Sequence, residues 1–183
     1  MPFIDTPIVG LKIFEPKLFE DERGYFYESY NEKLFKENGI DVHFTQDNES
    51  KSSKGVLRGL HYQLAPYSQS KLVRALQGEV QDVVVDMRKK SPTYGKSFSI
   101  ILSSENHKQL FVPRGFAHGF YVLSETTTIL YKIDNDYSRE SESGVMYNDP
   151  TLNIEWAIKD DLLILSEKDK MLSSFAEAKN NFE

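Results

Sequence analysis

Between Gly55 and Lys71 the chain reads GVLRGLHYQLAPYSQSK, which sets a guanidinium (Arg58), an imidazole (His61) and an ammonium (Lys71) in a short apolar, strand-like context. A later segment, PRGFAHGF from Pro113 to Phe120, adds His118, so two of the chain's four histidines lie in these two stretches. A free imidazole titrates near about 6.5 and can take up or release a proton near neutrality. A strand-borne histidine beside fixed cations therefore points to proton transfer to or from something anionic.

Each of these residues also has an ordinary reading. Strict alternation places His61 with Gly59 and Gln63 on one face of a strand, and Arg58, Leu60 and Tyr62 on the other. Bringing Arg58 and His61 into one site therefore requires an irregularity, and Gly59 is where a bulge would fit. A lone histidine on an apolar strand is by default a hydrogen-bonded core residue. Lys71 and Arg58 are by default solvated charges, although an exposed arginine is out of place within Val56-Leu57-Arg58-Gly59-Leu60. Tyr131 shares a strand face with Thr127, Ile129 and Ile133 and is expected to point inward, where tyrosines usually serve packing. Tyr137 follows Asp134-Asn135-Asp136 and reads as a loop residue, and Asp169 reads as a surface charge.

The spacing Pro113-x-Gly115-x-x-His118 matches the second signature of the cupin jelly roll. The first signature needs His-x-His followed by a glutamate, whereas this chain has His61-x-Gln63 followed by Lys71. A divalent metal prefers neutral imidazole and carboxylate to a neighbouring ammonium. The pocket is thus expected to hold no metal.

The elements that must position these groups are mostly strands. Lys71 to Leu76, Glu79 to Met87, Ser97 to Leu102, Gln109 to Val112, Gly119 to Leu123 and Thr126 to Ile133 read as strands separated by Gly-, Pro- and Ser-containing turns. Tyr25 to Tyr30 has strand-like aromatic content, and Asn31 is placed to cap a short helix, Glu32 to Asn38, that Gly39 would end. The tail reads as a short strand or turn at Leu162 to Leu165, then a modest helix from Met171 to Ala178. The pattern predicts one all-β domain over residues 1–183, a jelly-roll β-sandwich with short peripheral helices.

Composition narrows the function classes. A length of 183 residues suffices for a sizeable core, and ten Tyr with twelve Phe favour β structure. No apolar run is long enough for a transmembrane helix, and the first residues lack the basic flank and cleavage pattern of a secretory signal. With no cysteine there is neither disulfide nor thiolate metal site, which is compatible with the cytoplasm. A net charge of −6 disfavours a nucleic-acid partner, so an anionic small molecule needs a local cationic pocket.

Read in order, the motifs resemble the dTDP-4-dehydrorhamnose 3,5-epimerase family of the cupin superfamily. They run from Phe19-x-Asp21-x-Arg23-Gly24-x-Phe26-x-Glu28 through Gln46-x-Asn48-x-Ser50 to Gly55-Val56-Leu57-Arg58-Gly59-Leu60-His61-x-Gln63. Lys71-Leu72-Val73, the Gly78 to Gly95 segment with Asp82, Pro113-x-Gly115-Phe116-Ala117-His118-Gly119-Phe120, Tyr131-Lys132, Asn148-Asp149-Pro150, Ile154-x-Trp156 and Leu165-Ser166-x-Lys168-Asp169 complete the match. The resemblance implies His61 as general base oriented by Asp169, Tyr131 as proton donor on the other face of the sugar, and Lys71 with His118 near a 4-keto oxygen. It further implies Tyr137 stacking on thymine, with Arg23, Glu28, Gln46, Asn48, Arg58, Glu142 and Lys168 as nucleotide-sugar contacts. The implied partner is a dTDP-linked 4-keto-6-deoxyhexose in dTDP-rhamnose biosynthesis, with no cofactor, and the implied assembly is a homodimer. Two positions depart from the family: Ser138-Arg139-Glu140 follows Tyr137 without the usual proline, and Tyr147 precedes Asn148-Asp149-Pro150 where tryptophan is usual.

The implied chemistry is self-consistent. A carbon beside a ketone loses a proton because charge moves onto the carbonyl oxygen, and C3 and C5 both flank a 4-keto group. Fixed positive charge at that oxygen is typically worth about 3–4 kcal/mol of barrier. A carboxylate behind the imidazole would set its tautomer, and a phenol titrating near about 10 can return the proton. A single-centre epimerase or a 3,4-ketoisomerase of another nucleotide-linked 4-keto sugar shares this pocket, and a non-enzymatic sugar-binding cupin is the alternative of a different class.

Overall fold

Side-chain alternation in two antiparallel sheets organises the protein, seen in a computed structural model that describes residues 2–158 and 162–183. In chain order the strands are β1 (Phe3–Asp5), β2 (Lys12–Phe14), β3 (Phe19–Asp21), β4 (Gly24–Phe26), β5 (Gln46–Ser53), β6 (Leu57–Gln63) and β7 (Lys71–Gln77). They continue with β8 (Glu79–Asp86), β9 (Ser97–Ser103), β10 (Gln109–Val112), β11 (Phe116–Val122), β12 (Thr126–Ile133) and β13 (Glu142–Gly144). The helices are short: α1 (Glu32–Glu37) and α2 (Glu167–Lys170). One sheet has the order β1-β2-β10-β7-β12-β5, the other β13-β6-β11-β8-β9, and β3-β4 form a separate hairpin. This is a jelly-roll β-sandwich of the cupin type, all-β with peripheral helices.

The sheets meet over Val73, Leu110 and Ile129 on one side and Val80, Val84, Phe116, Phe120 and Val122 on the other. Because even-numbered residues of β8 face this interior, the odd-numbered Val83 and Val85 face out, where Leu152, Phe182 and Trp156 from the C-terminal segment cover them. Both faces of β8 are thus buried, which is why Glu79 to Asp86 is so rich in valine. On the far face of the first sheet, α1 seals Phe14, Leu72 and Phe111 with Phe35. Asn31 caps α1 through its side chain to the Leu34 amide, and Gly39 ends it at a φ of 82°, as the sequence predicts.

Three expectations change. The aromatic run Tyr25 to Tyr30 contributes only Tyr25 and Phe26 to a strand, β4, because the chain then leaves the hairpin and the Ser29 carbonyl accepts from the Gln109 side chain. The strand expected to begin at Gly119 begins at Phe116, since pairing with β8 starts there, opposite Asp86, directly after the turn at Arg114-Gly115. Met171 to Ala178 is not a helix. Its backbone is engaged elsewhere: the Ser173 carbonyl accepts from Met146 and the Phe175 amide donates to Asp149, which leaves helix only at Glu167–Lys170.

Candidate active site

Register decides which side chains meet at the open end of the sandwich. On β11, His118 lies opposite His61 and Phe120 opposite Arg58, so two steps on β11 span three on β6. That extra residue is a bulge, and it turns both Arg58 and His61 toward the sheet interior despite their odd spacing. Gly59, at a φ of 122°, sits within it; a Cβ there would lie 2.6 Å from Gly119 Cα and 2.8 Å from the His118 carbonyl oxygen. Only glycine fits.

From the opposite sheet, β12 pairs Tyr131 with Val73 and Ile133 with Lys71, so Tyr131 and Lys71 are diagonal neighbours on the inner face. The Lys71 ammonium is 5.9 Å from the Tyr131 ring centre. On β5, Gln46 and Asn48 share that face, opposite Ile133 and Tyr131. A cleft of about 550 Å³ results, with Arg58, His61 and His118 on one wall and Lys71 and Tyr131 on the other. A smaller cleft of about 360 Å³ adjoins it, sharing His61, Lys71, Tyr131 and Glu142 and adding Gln46, Asn48 and Tyr137.

His61 and Asp169 are 108 positions apart in sequence, yet His61 Nε2 lies 2.5 Å from Asp169 Oδ1. An ionised carboxylate only accepts, so Nε2 carries the proton and Nδ1 is the nitrogen left to take another. The other carboxylate oxygen accepts from the Ser166 hydroxyl at 2.8 Å, while the Ser166 oxygen caps α2 by accepting from the Asp169 amide. Burial opposes ionisation of Asp169, but His61 and then Ser166 outweigh it and hold the carboxyl below the ordinary carboxylate range.

A second such pair lies deeper. His118 Nε2 donates to both oxygens of Asp82 at 3.0 and 2.9 Å, and Asp82 is fully buried. Lys71 beside it is pulled down to about 8 by desolvation, against the pull of Asp82 and Glu142. Burial pushes the Tyr131 phenol up, with Arg58 opposing, so the group stays protonated at neutral pH. Arg58 is oriented by a hydrogen bond from Nε to Ser52 Oγ, 3.1 Å.

Toward the mouth, Glu142 accepts from the Tyr137 hydroxyl at 3.0 Å and pairs with the Lys168 ammonium. Burial opposes its ionisation, but those two partners keep it below the usual carboxylate range. Arg23 and Glu28 are elsewhere: Arg23 is exposed on the β3-β4 hairpin and paired with Asp21, and Glu28 lines a separate cleft with Phe14 and Phe19. The donor set does not suit a divalent metal. Both histidines are turned to carboxylates, an ammonium stands beside them, and the Gln63 amide is engaged with main chain.

Asp82, Ser166, Ser52 and Gln63 join the site without a role assigned from their place in the sequence. Asp82 carried a usable signal, a charge at a core-facing position between Val80 and Val84. Ser166 carried another, three residues before Asp169 in capping-box spacing.

The dTDP-4-dehydrorhamnose 3,5-epimerase family profile matches residues 5–177. The dTDP-4-dehydrorhamnose 3,5-epimerase of Shigella flexneri is 54% identical over 179 residues, covering 97% of this chain and 98% of its own. The crystal structure of the Elizabethkingia anophelis enzyme of that name superposes with a TM-score of 0.94 at 54% identity, over 98% of each chain. The Legionella pneumophila epimerase, solved in complex with dTDP-4-keto-L-rhamnose, superposes with a TM-score of 0.92 at 49% identity, over 96% of this chain and 93% of its own.

Proposed function

Since the chain belongs to the dTDP-4-dehydrorhamnose 3,5-epimerase family, we propose that it inverts C3 and C5 of dTDP-4-dehydro-6-deoxy-D-glucose to give dTDP-4-dehydro-L-rhamnose, working as a single domain. One observation carries the residue assignment: the His61–Asp169 pair and the Tyr131 phenol stand on opposite walls of one cleft. Inversion requires a proton to leave one face of a carbon and return to the other, and this arrangement brackets a sugar ring on both faces.

In this reading His61 Nδ1 removes the proton from C3 or C5, and the C–H electron pair moves onto the C4 carbonyl oxygen. Asp169 stabilises the imidazolium that forms. Lys71 supplies positive charge to the enolate oxygen, with His118, itself held by Asp82, beside it. Tyr131 then delivers its proton to the opposite face, and solvent restores both groups. Arg58 and Lys168 serve the diphosphate, and Gln46, Asn48, Tyr137 and Glu142 line the adjoining cleft for the nucleoside. No step calls for a redox cofactor, because the inversion leaves the oxidation state unchanged.

The assembly in this proposal is a homodimer in the cytoplasm. The β3-β4 hairpin exposes Phe19, Tyr25 and Phe26, an apolar set that a second copy would cover. In such a dimer, Arg23 and Glu28 would serve the cleft of the neighbouring chain. No helix among the described residues is long and apolar enough to cross a membrane.

The test is NMR of dTDP-4-keto-6-deoxyglucose incubated with the protein in D2O. Deuterium is expected at both C3 and C5, with none in His61→Ala. Tyr131→Phe should retain exchange from the His61 side while forming little inverted product. Exchange at one carbon alone would make it a single-centre epimerase, and binding without exchange would make it a sugar-binding cupin.

A further inference from the structure

Gln63 ends β6 two residues beyond His61, at the place where a metal-binding cupin pattern would carry its second histidine. It is 6% exposed, and its carboxamide is directed at two loops. Nε2 donates to the carbonyls of Tyr67 at 3.0 Å and Asp136 at 3.1 Å, and Oε1 accepts from the Ser138 amide at 2.6 Å. The assignment of N and O follows from the partners. Reversed, the oxygen would face two carbonyls and the NH2 group would face an N–H.

Asp136 and Ser138 are the immediate neighbours of Tyr137. A side chain that holds the carbonyl before a residue and the amide after it fixes the peptide planes on both sides of its Cα, and with them the direction in which its side chain leaves. Packing does not do this for Tyr137, which is 59% exposed and whose hydroxyl donates to Glu142. The preceding loop residues are pinned separately, Asp134 by the Ser70 amide at 2.6 Å and Asn135 by Gln69 at 2.9 Å. We infer that Gln63 is the positioning residue for Tyr137, so that β6 carries the base at His61 and, two residues on, the anchor of the aromatic platform for the nucleotide. This rests on the proposed reading of Tyr137 as the group that meets the thymine ring.

Gln63→Glu tests it by replacing the Nε2 donor with an oxygen that faces two carbonyls. Gln63→Asn keeps the amide one methylene short, and is read in the same way should the carboxylate prevent folding. The expected result is a rise of about tenfold in KM for dTDP-4-keto-6-deoxyglucose and in Kd for dTDP, with kcat and deuterium exchange at saturation within about twofold of wild type. Tyr137→Ala should give a similar rise, and the Gln63 variants should add nothing in that background. If Tyr137→Ala raises KM and the Gln63 variants do not, or if they act equally without Tyr137, the positioning role is wrong. A fall in kcat at unchanged KM likewise overturns it. If Tyr137→Ala leaves KM unchanged, the reading of Tyr137 itself fails, and the inference with it.

Discussion

Lys71 gives the cleft its sharpest pH signature. Its ammonium is pulled from the ordinary 10.5 down to about 8 by desolvation, with Asp82 and Glu142 limiting the fall. If that charge stabilises the enolate, kcat/KM should decline by about tenfold per pH unit above about pH 8. Stability should move the other way. The unfolded chain binds the proton more tightly, so between about 8 and 10.5 this group makes folding more favourable as pH rises. An alkaline loss of activity without a matching loss of thermal stability is therefore the expected pair of curves. In Lys71→Arg, whose guanidinium does not titrate in this range, the remaining activity should lose its alkaline limb. A limb that persists there at the same pH belongs to another group.

At the scale of elements, α2 is the shorter of the two α-helices described and the one that carries the carboxylate partner of His61. Ser166 does two things at its start: it caps the helix at the Asp169 amide and donates to the Asp169 carboxylate. Ser166→Ala should cost about 1 kcal/mol as a lost cap. It should also lower kcat by about tenfold, with little change in KM, because Asp169 loses the donor that fixes its free oxygen. Ser166→Thr, which keeps the hydroxyl, should restore both. A variant that melts earlier but turns over at the wild-type rate would reduce Ser166 to a helix cap. The β6 bulge shows the same dependence of chemistry on an element, since Arg58 and His61 share the cleft only because Gly59 permits it.

At the scale of the whole molecule, a chain of net charge −6 gathers Arg58, Lys71 and Lys168 at one cleft, a local cationic site set against its overall field. Arg23 lies off that cleft on an exposed aromatic hairpin. If a homodimer brings that hairpin to the neighbouring cleft, Arg23→Ala and His61→Ala should each be weak or inactive alone. Mixed and allowed to exchange subunits, they should regain activity, because one of the two clefts in a mixed dimer carries neither substitution. A mixture that exchanges subunits, shown by sedimentation of differently tagged chains, yet stays inactive would place Arg23 outside the neighbouring site.

Much of this protein was legible along the chain. Strand periodicity located β7, β8, β9, β10 and β12 to within a residue or two, and Asn31 with Gly39 marked α1, because these signals act between near neighbours. The replacement of the cupin His-x-His by His61-x-Gln63, followed by Lys71, was likewise a property of residue order. Alternation alone, however, separated Arg58 from His61; Gly59 marked where a bulge would fit, and the register against β11 displays the bulge that reunites them. Taken alone Asp169 reads as a surface charge, and only the family resemblance paired it with His61, a pairing that α2 makes by folding back onto β6; the expected helix at Met171 to Ala178 gave way to pairing with Val145 and Asp149. Asp82 meets His118 36 positions away, and Gln63 reaches the residues on either side of Tyr137 73 and 75 positions away, contacts that residue order did not display. Local sequence fixes period, caps and turns. Hydrogen bonds between distant segments depend on how whole sheets and loops pack, and that is decided in three dimensions.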